Sequence, residues 1–96
     1  MKVNHDKVKY VITIEPSGSF LNLDITSNLT DLNIKEKLDP DSYIIKEKQN
    51  QFKIHITTKK AYDIILDIVK ECVKPFALGN DCKVENFLKV KEYDTN

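Results

Sequence analysis

The chain has 96 residues, 41% hydrophobic and 31% charged, which is the make-up of one globular domain with a real but modest core. Fifteen lysines balance fifteen acidic residues, so no global field draws it to nucleic acid or to anionic lipid, and any electrostatic role must come from local segregation of charge. All fifteen basic residues are lysine, and this excludes an arginine finger, a bidentate guanine reader and an arginine-centred hot spot, because lysine is a flexible point charge where arginine is a planar fork.

Residues 7–15 alternate, with Val8, Tyr10, Ile12 and Ile14 on one side and Lys7, Lys9, Thr13 and Glu15 on the other, the pattern of a half-buried strand. Pro16-Ser17-Gly18-Ser19 reads as a turn. Residues 20–26 alternate again through Leu21, Leu23 and Ile25, which predicts a hairpin partner. Residues 28–38 predict a short helix capped by Asn28 or Thr30 and ended by Asp39-Pro40. A second hairpin follows, 43–48 and 51–58 around Gln49-Asn50, with Phe52, Ile54 and Ile56 inward and Lys53, His55 and Thr57 outward. The adjacent Ile44 and Ile45 leave the register of its first strand open. Ala61, Ile64, Ile65, Ile68 and Cys72 recur at helical spacing after a Thr57 or Thr58 cap, with Pro75 set to kink or end the helix and Gly79 placed for a C′ position. Residues 83–93 read as a last strand, with Val84, Leu88 and Val90 on one side and Phe87, Lys89, Lys91 and Tyr93 on the other.

These elements make an α+β two-layer sandwich of about five mostly antiparallel strands in the order ββαββαβ, with helices on one face. The whole chain, 1–96, forms a single domain with frayed ends at 1–6 and 94–96. The arrangement resembles many ferredoxin-like small domains, a likeness of fold that carries no function.

No apolar run approaches the roughly 20 residues of a membrane span, and Met1 to Lys7 lacks the apolar stretch of a secretory signal, so the expectation is a cytoplasmic protein with no membrane partner. Cys72 and Cys82 fit no common zinc spacing, and His5 and His55 are the only histidines that would complete such a site. Cys72 is expected as a small hydrophobe on a helix stripe and Cys82 as a loop residue, unpaired in a reducing cytosol. Phosphate loops, dinucleotide fingerprints, CxxC and HExxH motifs are absent. Asp63 and Asp67 share a helix face, a pairing that holds metals or divides acid and base roles, but Lys59, Lys60 and Lys70 beside them read as a solvated, ion-paired face. The expectation is a chain that is not an enzyme, with no cofactor, no metal and no small-molecule substrate.

The outward sheet face then carries Lys7, Lys9, Lys46, Lys48, Lys53, Lys83, Lys89 and Lys91 against Glu15, Asp24 and Glu85. His55 and the rings of Phe20, Phe87 and Tyr93 are interleaved with them. The candidate binding residues are Phe20, Lys53, His55, Phe87, Lys89, Lys91 and Tyr93. A lysine and aromatic sheet suits a single-stranded nucleic acid, and an uncovered face or strand edge suits a protein partner, a second copy included. Zero net charge and missing arginine place protein association first and nucleic acid second. The composition fits a phage or mobile-element accessory protein, such as an inhibitor of a host factor.

Overall fold

A computed structural model describes residues 7–93. The ends expected to fray, 1–6 and 94–96, and with them His5, lie outside the described residues. Strand β1 (Tyr10–Ile14) leads into helix α1 (Ser19–Leu29) and the short helix α2 (Leu32–Lys35). A 3-10 turn at Pro40–Ser42 then opens the hairpin β2 (Tyr43–Lys48) and β3 (Gln51–Ile56). The long helix α3 (Lys59–Gly79) returns the chain to a second 3-10 turn, Val84–Asn86, and to β4 (Leu88–Glu92). The strands form one antiparallel sheet in the order β2-β3-β1-β4. β3 lies between β1 and β2, and β1 lies between β3 and β4, so the chain is two split βαβ units, the ferredoxin-like β-α-β-β-α-β arrangement.

The α+β two-layer design holds, with four strands rather than five. The missing strand is 20–26, which is helical. Leu21 and Ile25 alternate with polar residues, but with Leu29 they also fall at i, i+4 and i+8, and these three are the buried residues of α1. Leu23, the residue that made the alternation look complete, is 64% exposed. The helix expected over 28–38 shrinks to α2, capped by the Asp31 carboxylate, which accepts from the Asn33 N–H at 2.9 Å. Asn28 and Thr30 instead close α1, bonding back to the Asp24 and Thr26 carbonyls.

The core lies between the helices and one face of the sheet. Tyr10, Ile12 and Ile14 of β1 and Phe52, Ile54 and Ile56 of β3 meet Leu21, Ile25 and Leu29 of α1 and Ile65, Val69 and Val73 of α3. Thr58 caps α3, its hydroxyl accepting from the Ala61 N–H at 3.1 Å. The helix runs through Pro75 rather than ending there, because Val73 and Ala77 on either side are fully buried and Phe76 packs edge-on against Phe87 at 5.1 Å. Gly79 is the last helical residue, and the left-handed position falls to Asp81, φ 55°. Its N–H bonds to the Leu78 carbonyl and that of Cys82 to the Ala77 carbonyl, the paired bonds of a Schellman closure. No described helix is long and apolar enough to cross a membrane.

Candidate functional site

All three helices pack on the Tyr10–Ile12–Ile14 side, which leaves the other face of the sheet uncovered among the described residues. The strand register fixes what that face presents. Ile44, His55, Val11 and Lys91 make one row across β2, β3, β1 and β4. Lys46, Lys53, Thr13 and Lys89 make the next. Neighbours within a row stand about 4.8 Å apart and successive rows about 6.6 Å apart. Lys48 extends the pattern on β2, and Lys9, just before β1, sits between the Ile56 carbonyl and the Tyr93 N–H. Five lysines on the ladders, Lys46, Lys48, Lys53, Lys89 and Lys91, therefore share this face. Glu15 stands at its margin, its carboxylate accepting from Gln51 Nε2 at 3.0 Å.

The register also resolves the adjacent isoleucines. Ile45 pairs with Ile54 on the core side, and Ile44 pairs with His55 on the open side. Ile44 packs there against Val8 and Val11, a second small apolar cluster on the wet face. Val8 was expected on the core side, but it precedes the first ladder pair at Tyr10, so strand alternation does not fix its direction. Beside the cluster Val8, Val11, His55 and Tyr93 line a shallow hollow of about 210 Å³. Lys91 Nζ lies 5.0 Å from the centre of the Tyr93 ring.

Five of the seven expected binding residues come together here: Lys53, His55, Lys89, Lys91 and Tyr93. Two do not. Phe87 is only 7% exposed and belongs to the core. It falls in the 3-10 corner before β4, so the alternation that placed it outward with Lys89 does not yet apply. Phe20 is 93% exposed but sits on α1, in the helix layer. Asp24 moves to that layer as well, and Lys83 and Glu85 lie in the turn before β4, off the ladder. The face is thus more uniformly basic and less aromatic than the sequence implies. Sequence reasoning missed Val8, Val11 and Ile44. The signal for the last two was runs of consecutive apolar residues, Tyr10-Val11-Ile12 and Ile44-Ile45, which mark strands apolar on both sides.

The helix layer has the opposite character. Asp24, Asn28, Asp67, Glu71 and Cys72 line a groove of about 370 Å³ between α1 and α3. Asn28 Nδ2 donates to the Cys72 sulfur at 3.6 Å. Burial pushes the Cys72 thiol up to about 12, with the Asp24 carboxylate beside it adding to the rise, so it is a poor nucleophile. Both cysteines are free, Cys72 buried and Cys82 exposed. Asp63 is engaged by Lys59 Nζ at 2.6 Å. Among the described residues no three His, Cys, Asp or Glu side chains gather where they would hold a metal ion. A hollow of about 850 Å³ lies at the start of α1, which has no side-chain cap, beside the β2–β3 turn and is bordered by both Glu47 and Lys48.

No family model, curated protein or solved structure matches this chain.

Proposed function

We propose that this chain is a non-enzymatic binding module whose open sheet face holds an anionic partner. The observation that carries the reading is the row Lys46–Lys53–Thr13–Lys89, three lysines across four strands with only a threonine among them. Lys46 and Lys53 stand directly opposite each other on neighbouring strands. An anion lying along the row would meet lysines on three of the four strands. Lysine suits this task, since it binds phosphate and carboxylate as a point charge.

The same row weakens the expectation of protein association through this face. The cores of protein interfaces are depleted in lysine and built around aromatic anchors, and both phenylalanines have left the face. Pairing through an edge strand fares no better, because Lys46 and Lys48 on β2 and Lys89 and Lys91 on β4 place charge on both sheet edges, a usual guard against edge-to-edge addition. A second reading survives on a different surface. Phe20 and Leu23, 93% and 64% exposed on the outer side of α1, favour an apolar protein contact through the helix layer.

Fluorescence anisotropy separates the readings. Labelled polyphosphate, oligoglutamate and a single-stranded oligonucleotide are titrated with the protein across a salt series. At least one of them should bind with an affinity that falls linearly with salt on logarithmic axes. The double variant Lys89→Glu, Lys91→Glu should lose at least about tenfold at low salt, two reversed contacts being involved. Absence of binding to every anion at low salt, or binding that ignores salt and the double variant, would overturn the reading and leave the α1 surface in its place.

A further inference from the structure

We infer that the anionic partner is a single-stranded nucleic acid, and that the hollow formed by Val8, Val11, His55 and Tyr93 seats one of its bases. The inference rests on the anion-binding reading above and adds what the hollow contributes to it. A polyanion held by charge alone needs only the lysines. This face has, next to them, a small site of different chemistry. Its floor is aliphatic, Val8 and Val11 being only 8% and 6% exposed. Its rim holds an imidazole and a phenol ring. At about 210 Å³ it falls below the few hundred Å³ usual for a whole small-molecule ligand and suits a single flat ring inserted from an extended chain.

The spacing of charge around the hollow matches one kind of polymer. Lys91 stands beside it, its Nζ 5.0 Å from the centre of the Tyr93 ring. One row further along lies the Lys46–Lys53–Thr13–Lys89 line, about 6.6 Å away. A nucleic-acid strand presents, in every residue, a phosphate and a flat ring that stacks on aromatic side chains. An acidic peptide offers carboxylates to the lysines but nothing flat and apolar to the hollow. A duplex keeps its bases paired and stacked, so the hollow would stay unused. Lys91 Nζ, 5.0 Å from the centre of the Tyr93 ring, supplies a cation beside the hollow for a backbone phosphate. Without arginine the contact has no bidentate reader of base edges, so binding should tolerate many sequences.

The experiment compares three ligands of matched length by anisotropy: oligothymidylate, the same backbone with abasic residues, and a duplex. It uses the full chain and two variants, Tyr93→Ala and Tyr93→Phe. Tyr93 lies beyond the last ladder pair and is 42% exposed, so both variants should fold, which a thermal melt verifies. Oligothymidylate should bind more tightly than the abasic strand or the duplex. Tyr93→Ala should weaken it by about five- to a hundredfold, with no change for the abasic strand, and Tyr93→Phe should restore it. The salt slope for oligothymidylate should be no steeper than about −3.5, the limit for five lysine–phosphate contacts on a single strand. If the abasic strand binds as tightly as oligothymidylate, or Tyr93→Ala weakens both alike, the base seat is overturned while the anion-binding face stands. If oligoglutamate alone binds, the partner is an acidic protein segment and the inference fails. If no anion binds, the inference and the function beneath it fail together.

Discussion

The two faces of β1 carry residues one position apart and do opposite work. Tyr10, Ile12 and Ile14 are 9%, 0% and 0% exposed and lie against two helices, with the Tyr10 and Tyr62 rings stacked at 4.2 Å. Val11 and Thr13, on the other face, look out between Lys91 and His55 and between Lys89 and Lys53. The first face is saturated with contacts, and any loss there is felt as lost packing. The second bears lysines in register, Lys46 opposite Lys53 and Lys89 two strands away. The contrast places the packing on one face and the proposed recognition on the other, and substitutions can test that division from both sides.

The largest effect is expected on the closed face. Phe87→Ala removes a ring packed at 5.1 Å against Phe76 and should cost about 3–5 kcal/mol, read as a fall in the urea midpoint. Domains of this size hold about 5–15 kcal/mol in all, so the variant should lose a large part of its stability. Tyr93→Ala, six residues on and on the open face, should change the stability by no more than about 0.5 kcal/mol. Equal losses for the two would erase the division between faces.

A smaller effect should come from the groove between α1 and α3. The Cys72 thiol ionises near 9.0 in an unfolded chain and is held up to about 12 in the folded one by burial, with Asp24 and then Glu71 reinforcing the shift. The folded state therefore keeps a proton that the unfolded state gives up. The stability tied to that proton is whole below pH 9 and drains away as pH rises toward 12. Lysines and tyrosines titrate in the same range, so the informative quantity is the difference between the native chain and Cys72→Ala in paired melts. That difference should narrow steadily above pH 9 and stay constant below it. A thiol reagent at neutral pH should label the exposed Cys82 first and Cys72 only on unfolding.

The division between faces was partly legible in the sequence. The β2–β3 hairpin and α3 follow from patterns that only one period fits. Phe52-Lys53-Ile54-His55-Ile56 alternates strictly, and Ala61, Ile65, Cys72 and Val73 fall on one helical stripe. Helix α1 was not legible, because Leu21, Leu23 and Ile25 satisfy period two while Leu21, Ile25 and Leu29 satisfy period four, and its Asp, Thr, Ser and Asn residues have poor helix propensity. What settles it is tertiary: only the helix buries Leu29 against α3 while leaving Leu23 outside. Lys53, His55, Lys89 and Lys91 were placed correctly because they sit inside regular ladders. Phe87 was misplaced because a corner precedes its strand. Asp81 was overlooked because the left-handed residue that closes α3 was sought at Gly79, two positions earlier.

The smallest predicted effect is the sharpest test of the division. Lys53→Thr replaces the central lysine of the row by a residue with good strand propensity and removes a like charge directly opposite Lys46. If the open face served stability, this change would lower the urea midpoint, because Lys53 is partly buried by its neighbours. If the row is kept for an anionic partner, the variant should be more stable than the native chain by a few tenths of a kcal/mol, the usual size of a relieved cross-strand pair. It should also bind the oligonucleotide more weakly, with a salt slope shallower by about 0.7, the share of one lost phosphate contact. Stability rising while binding falls is the signature of a residue placed against the interest of the fold, since functional sites are where local rules are broken. A variant that loses both would put Lys53 among the residues that hold the sheet together.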